Sequence, residues 1–121
     1  MQLYDWDTLE KEQMSATFAR QVIHAETLTV ARVFLNKGCK VPEHSHHNEQ
    51  ISIIEKGSLR FVLAGKEQLV KAGQILRIPP NVPHSAEAPE DCIGIDIFSP
   101  VREDWRSGDD AYLRTASSTV I

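Results

Sequence analysis

Turn residues divide the chain, from residue 27 onward, into short segments rich in β-branched or alternating apolar residues. In SLRFVL, large apolar residues occupy every second position, as on a strand with one buried face, and a glycine at position 65 turns the chain back. Short strands separated by Gly and Pro turns roughly every ten residues indicate an all-β sandwich or small barrel. The predicted segments are TLTVARVFL (27–35), QISIIEKG (50–57), SLRFVLAGKEQLVKAG (58–73, a hairpin), QILRIPPNVPH (74–84) and DCIGIDIFSP (91–100).

Helical patterning is weak, and its best candidate is a short segment around Asp7–Ala19. Because strands do not alternate with helices, a nucleotide-binding fold is not expected. The glycines at 57, 65 and 73 are isolated turn residues and form no phosphate-binding loop. The 121 residues suffice for one compact domain.

Charge and hydropathy limit which partners and which cellular compartment are expected for the chain. The net charge of −4 argues against nucleic-acid binding, and no segment approaches the roughly 20 apolar residues of a membrane span. The N-terminal sequence MQLYDWDTLEKEQ lacks the basic start and apolar run of a signal peptide. We therefore expect a cytoplasmic protein in which Cys39 and Cys92 are reduced thiols.

The segment PEHSHHNEQ at 42–50 concentrates residues that bind metals. On a strand, His44 and His46 lie two apart and share a face, whereas His47 points to the other side. His84 follows IPPNVP, whose prolines stiffen the loop and fix where the side chain emerges. Three neutral imidazoles suit a divalent transition metal, so the three predict a metal site. His24 and His47 are expected to be ordinary side chains, with His47 a candidate for a supporting contact.

A fourth ligand has to come from the same face as the histidines. Counting in twos from His46 reaches Gln50 and not the more obvious Glu49. A bulge at HHN would break this parity. The alternative for Gln50 is a buried strand amide bonded to the backbone, and for Glu49 it is a solvated carboxylate.

The spacing of these residues resembles the first motif of the cupin family. That motif has a glycine, five residues, H-x-H, three or four residues, a glutamate, six residues and a glycine. Residues 38–57 follow it throughout, with Gln50 in the glutamate position.

The second cupin motif has a glycine, five residues, a proline, one residue, a glycine, two residues and a histidine. Residues 73–84 follow it, with Asn81 in place of the second glycine, a mild change because Asn tolerates positive φ. The trailing asparagine of the motif falls at Ala88 and is missing. The resemblance implies a single cupin domain, a small β-barrel of the jelly-roll or double-stranded β-helix type. It would span 1–121, with an N-terminal arm (1–22) and a C-terminal tail (107–121).

A narrower resemblance covers nearly the whole chain. The segments YDWD, VIH, PEHSHHNEQI, IPPNVPHSAEA, DIFSPVREDW and DAYLR are similar to the KdgF-type pectin-degradation cupins. The resemblance implies a metal-dependent enzyme that converts cyclic 4,5-unsaturated monouronates, from pectin or alginate breakdown, into linear keto sugars. Glutamine as a ligand is characteristic of that group. It further implies metal ligation by His44, His46, Gln50 and His84, a catalytic role for Asp96 and Arg102, and substrate contacts from Phe98 and Arg102.

The sequence leaves open which face of the segment 91–100 looks into the barrel. Asp96 and Phe98 share one face, and the resemblance favours that face as the inner one. In the alternative, Ile93, Ile95 and Ile97 fill the interior. Arg102 could pair with a substrate carboxylate. Its alternative is a surface arginine beside Glu103 and Asp104, while Arg60 and Arg77 are weaker candidates for carboxylate binding.

Three classes of function fit these residues. The first is the uronate-linearising enzyme, and the second is another metal-dependent cupin enzyme, a dioxygenase or an isomerase. The third is a non-catalytic sugar-binding cupin. The ion could be Ni, Zn, Mn, Fe or Co. The expected partners are a small anionic sugar and a second copy of the chain in a homodimer, without nucleic acid or membrane.

Overall fold

Two antiparallel sheets face each other in the computed structural model, which describes residues 1–114 and confirms the all-β class. The strands are β1 (Glu12–Gln13), β2 (Phe18–His24), β3 (Thr29–Leu35), β4 (Lys40–His44), β5 (Glu49–Lys56), β6 (Ser58–Leu63), β7 (Lys66–Lys71), β8 (Ile75–Ile78), β9 (His84–Glu87) and β10 (Cys92–Ser99). Two short helical segments follow, α1 (Glu103–Arg106) and α2 (Ala111–Arg114).

The chain crosses repeatedly between the sheets, as in a jelly roll. Six strands form one sheet in the order β1-β2-β3-β10-β5-β8, and four form the other in the order β4-β9-β6-β7. Apolar side chains from both inner faces fill the space between them, among them Phe18, Val33, Leu35, Ile54, Leu59, Phe61, Val70, Ile78 and Phe98. The metal-site candidates lie at one end of this core.

The alternation on β10 settles which of its faces is internal. Cys92, Gly94 and Phe98 are buried, and the Asp96 side chain lies on the same side, where it lines an internal cavity. The isoleucines at 93, 95 and 97 occupy the opposite face and are only partly buried. The expectation that Asp96 faces inward is therefore correct.

The predicted helix around Asp7–Ala19 is wrong. Its residues form β1 and the start of β2, which continues through the predicted N-terminal arm. Four successive residues from Phe18 to Gln21 are buried, so β2 has contacts on both faces and shows no alternation. Two of the four are polar and have partners outside β2. Arg20 forms ion pairs with Glu12 and Asp110, and Gln21 donates hydrogen bonds to backbone oxygens of the N-terminal segment.

The C-terminal segment packs against the barrel. Trp105 and Leu113 are buried, and Asp110 is fully buried in its ion pair with Arg20. This pairing ties the segment that follows β10 to the six-stranded sheet. Of the predicted tail 107–121, residues 107–114 are part of this packing, and residues 115–121 lie outside the part of the chain that the structure describes.

Two turn positions show why the motif residues are needed. Gly57 has a φ of 75°, and a Cβ there would lie 2.0 Å from the Asp91 carbonyl oxygen, so no larger residue fits. Asn81 has a φ of 66°, as its place in the motif predicts, and its backbone N–H donates to the carbonyl oxygen of His46 at 2.8 Å. That bond joins the loop before His84 to the loop of His46.

Cys39 and Cys92 are free and buried, as predicted for reduced thiols. Within residues 1–114, no helix has the length and apolar character needed to cross a membrane.

Candidate metal centre

Three histidines converge at the end of the barrel. His44 closes β4 and His84 opens β9, and the two are direct cross-strand partners with ring centroids 4.3 Å apart. His46 lies two residues beyond β4, with its ring 5.7 Å from that of His44 and 5.0 Å from that of His84. A ring nitrogen from each of the three lies within 4.8 Å of the other two. The predicted convergence is therefore present, although a loop and not strand parity places His46.

Backbone carbonyl groups fix the orientation of all three rings. The Nδ1 atoms of His44 and His84 lie 2.8 Å from the carbonyl oxygens of Pro42 and Val82, and Nδ1 of His46 lies 3.1 Å from that of Asn48. A carbonyl oxygen only accepts, so each Nδ1 must carry the proton. The lone pairs of the neutral rings are then on Nε2, the arrangement typical of metal-binding histidines.

The Nε2 atoms have the properties of metal-binding positions. That of His84 is buried and has no hydrogen-bond partner within residues 1–114. Burial lowers the pKa of His44 and of His46 to about 4, and it also lowers the pKa of His84, with the Arg102 charge contributing at each ring. The rings are thus neutral at neutral pH. Three neutral imidazole nitrogens in one cluster fit a divalent transition metal, which the cluster could hold.

Gln50 extends the cluster from the other sheet. It is buried on β5, and its Oε1 lies 3.2 Å from Nε2 of His46. Its Nε2 donates to the Ser52 hydroxyl at 2.9 Å, and not to the backbone as the alternative for this residue required. Glu49 points to the other side and pairs with Arg77, as the parity argument predicts for it. Gln50 therefore offers a neutral oxygen as a fourth donor.

Asp96 lies next to Gln50 on the inner face of the six-stranded sheet. The Ser52 hydroxyl donates to its Oδ1 at 2.7 Å. Burial raises the pKa of Asp96 to about 6, against hydrogen bonds from Ser52 and Gln50 and the charge of Arg102, all of which lower it. A carboxyl group with such a pKa can both release and take up a proton near neutral pH.

Arg102 is buried and lines the same cavity, so it is not the surface arginine of the alternative interpretation. Its Nε and Nη2 donate to the two carboxylate oxygens of Asp104 at 2.9 and 2.7 Å, and Nη2 also donates to the Tyr112 hydroxyl at 2.8 Å. The guanidinium lies over the rings of Phe98 and Trp105, 4.7 and 4.4 Å from their centroids. Its position is therefore fixed from several sides, with its charge beside the histidines.

Two aromatic residues of the cavity were not predicted from the sequence. Tyr112 places its ring 4.7 Å from that of His44, and Trp105 packs against Phe98, whose ring is nearly perpendicular to that of His46. Both belong to the C-terminal segment, which contains no metal-ligand pattern and has only short apolar runs. The cavity measures about 60 Å³.

The remaining candidates lie away from this site. Arg60 pairs with Glu67 on the neighbouring strand, and Arg77 pairs with Glu49, so neither charge is directed at the histidines. His24 hydrogen bonds to Thr29 at 2.9 Å, and His47 is exposed. These positions agree with the ordinary roles expected for both histidines.

A family model for the cupin domain matches residues 31–98, more than half of the chain. With the two-sheet barrel and the histidine cluster, this match shows that the chain belongs to the cupin family. No curated protein matches the sequence significantly.

Solved structures of cupins superpose on most of the chain. An RmlC-like cupin from Shewanella frigidimarina is 28% identical with a TM-score of 0.81, and the match covers 87% of this chain and 96% of the other. KdgF from Halomonas sp. is 25% identical with a TM-score of 0.80, over 86% of this chain and 99% of KdgF. A predicted oxalate decarboxylase from Thermotoga maritima, 19% identical with a TM-score of 0.74 over 82% of this chain and 99% of its own, shares the fold.

Proposed function

We propose that the chain is a metal-dependent enzyme that converts cyclic 4,5-unsaturated monouronates into linear keto sugars. The observation that carries the proposal is a neutral His₃Gln donor set at the edge of a cavity that is also lined by the Asp96 carboxyl group and the buried Arg102 guanidinium. The similarity to KdgF supports it, as do the residues that match KdgF-type cupins.

A neutral donor set would favour an anionic substrate. His44, His46 and His84 would bind the ion through Nε2, and Gln50 would bind it through Oε1. All four donors are neutral, so the bound ion keeps its full charge. A divalent ion there supplies a Lewis acid that polarises substrate oxygens. Arg102 adds a positive charge beside the site and, among residues 1–114, no group accepts a hydrogen bond from its Nη1, which can therefore meet a substrate carboxylate.

The reaction is an isomerisation whose proton transfers suit Asp96. Opening the ring breaks the bond between C1 and the ring oxygen. The C1 hydroxyl loses its proton and becomes a carbonyl group, and the ring oxygen takes up a proton to become the hydroxyl of an enol. The resulting enol becomes a ketone when its hydroxyl proton leaves and a proton is added at the neighbouring carbon. Asp96 accepts and returns a proton in these steps, and Phe98 supplies an apolar wall that excludes water.

The cavity volume requires movement when substrate binds. About 60 Å³ is well below the roughly 300–1,000 Å³ of typical small-molecule pockets. The barrel walls belong to hydrogen-bonded sheets, whereas Trp105 and Tyr112 come from the C-terminal segment. We therefore expect these two side chains to move aside when a sugar acid enters.

The test is a turnover assay with a chemically defined substrate. The chelator-treated protein is reloaded separately with Ni, Zn, Mn, Fe or Co and mixed with 4,5-unsaturated galacturonate. The loss of ultraviolet absorbance is compared with the spontaneous rate, while an electrode records dissolved oxygen. Acceleration without oxygen uptake supports the proposal. Oxygen uptake tied to substrate loss would instead indicate a dioxygenase, and binding without turnover would indicate a sugar-binding cupin.

The homodimer and the cytoplasmic location stay predictions.

A further inference from the structure

A buried serine joins the candidate metal ligand Gln50 to Asp96. Ser52 lies two residues after Gln50 on β5, directly opposite Asp96 on β10, and it is fully buried. Its hydroxyl is 2.9 Å from Nε2 of Gln50 and 2.7 Å from Oδ1 of Asp96. The three side chains thus form a continuous chain of hydrogen bonds on the inner face of the sheet.

The chemistry of the end groups fixes the direction of both bonds. An amide NH₂ only donates and an ionised carboxylate only accepts. With Asp96 ionised, Ser52 must therefore accept from Gln50 and donate to Asp96. The direct interaction of Gln50 with Asp96 has the same sense, because only the amide NH₂ can donate to a carboxylate. A glutamate at position 50 has no N–H to donate, and its carboxylate would compete with Asp96 for the single hydroxyl proton.

This direction decides which end of the Gln50 amide faces the histidines. The NH₂ group is held by Ser52, so Oε1 is turned towards Nε2 of His46, 3.2 Å away. A rotated amide would present an N–H to the cluster, and an N–H cannot ligate a metal. The same hydroxyl also fixes the position of the Asp96 carboxylate.

We propose that Ser52 is a positioning residue that sets two features of the site at once: the ligating atom of Gln50 and the location of Asp96. Ser52 acts through these two residues and contacts neither ion nor substrate. The part of the proposal that concerns Asp96 and catalysis rests on the proposed function, whereas the part that concerns the orientation of Gln50 does not.

A metal-free measurement tests the structural half. The side-chain NH₂ resonances of Gln50 are recorded by NMR in chelator-treated protein, together with their exchange with water. We expect slow exchange in the parent protein, and shifted, faster-exchanging resonances in Ser52→Ala. Ser58→Ala is the matched control, because Ser58 is also a buried serine that donates to a carboxylate, Glu90, outside the site. Unchanged Gln50 resonances in Ser52→Ala would overturn the proposal, even if the protein turns over no uronate.

Kinetics test the catalytic half. Ser52→Ala should weaken metal binding roughly tenfold, in line with the loss on removing outer-shell partners of metal ligands. At saturating metal we expect kcat to stay about 10- to 100-fold below the parent value, with KM changed less than about threefold. In an Asp96→Asn background the same change should alter kcat less than about twofold, because the two residues act as a unit.

Two kinetic results would overturn the proposal. Full recovery of kcat at saturating metal would show that Ser52 acts only on Gln50. Independent effects of Ser52→Ala and Asp96→Asn on kcat would show that Ser52 does not act through Asp96. A parent protein that leaves unsaturated uronates unchanged would defeat the proposed function instead, and the NMR comparison would still decide the role of Ser52.

Discussion

His44 and His84 face each other across β4 and β9, and each ring is fixed by the carbonyl group two residues before it. This pair is the part of the candidate metal centre built on regular strands. Replacing His84 by Ala removes from the donor set a buried Nε2 that has no hydrogen-bond partner among the residues the structure describes. We expect metal affinity, measured by calorimetric titration with Ni²⁺ or Zn²⁺, to fall by more than the roughly 10- to 100-fold typical of outer-shell changes. His47→Ala, the exposed neighbour, should bind as the parent does, and equal losses in both variants would contradict the ligand assignment.

Gln50→Glu should separate metal affinity from turnover. A carboxylate adds a negative charge to a neutral donor set, so we expect tighter metal binding. It also removes the N–H that Ser52 accepts and places a like charge beside Asp96, which raises the pKa of Asp96 further. The predicted result is a higher metal affinity with a lower kcat.

Glu49→Gln is the matched control, since it makes the reverse change at the adjacent outward-facing position. It should leave metal affinity and kcat unaltered. A Gln50→Glu variant with full activity would show that the neutral amide has no part in the chemistry.

Asp96→Asn should remove the proton-transfer group and spare the metal centre. We expect kcat to fall about 10²- to 10⁴-fold, the usual contribution of a general acid–base group, with an unchanged metal-to-protein ratio. Asp91→Asn, next to the opposite end of β10, serves as control and should retain activity. Retained activity in Asp96→Asn would exclude Asp96 as the acid–base group.

The lowered histidine pKa values make the metal-free protein sensitive to acid. His44 and His46 titrate near pH 4 in the folded chain and near 6.5 when unfolded. Between these values the unfolded state binds more protons, so the free energy of unfolding falls as the pH is lowered through this window. Asp96 acts in the opposite sense, because its raised pKa lets the folded state bind a proton between about pH 6 and 3.8.

Thermal unfolding of chelator-treated protein checks this balance. We expect Tm to fall from pH 7 to pH 5, because the histidines outnumber the aspartate. The fall should be steeper in Asp96→Asn, which lacks the compensating proton. A Tm that is constant over this range, or that rises on acidification, would contradict the cause assigned to the histidine shifts.

The strands with apolar patterns could be predicted from sequence, and those without could not. β10 and the β6–β7 hairpin show apolar alternation that reflects their burial. β4 and β9, KVPEH and HSAE, are short and polar, and are defined by pairing with each other instead of by an apolar face. β2 was missed because two of its buried residues, Arg20 and Gln21, are polar and bind partners outside the strand, Asp110 and the backbone of Trp6.

Some residues of the candidate site could likewise be predicted from the sequence, and others could not. The candidate ligands His44, His46, Gln50 and His84 lie in two short motifs, so their spacing and its resemblance to the cupin motifs select them. Ser52 carries no such signal, since a single small polar residue in an apolar strand becomes informative only when Asp96 is seen opposite it. Tyr112 and Trp105 reach the cavity through the packing of the C-terminal segment, which includes the long-range Arg20–Asp110 pair.

The central claim is best tested by following uronate ring opening as metal is added stepwise to chelator-treated protein. The rate of loss of 4,5-unsaturated galacturonate should rise linearly and level off at one equivalent of metal per chain. Asp96→Asn should bind the same equivalent without the gain in rate. A rate equal to the spontaneous reaction at every metal ratio, or full activity without metal, would contradict the account.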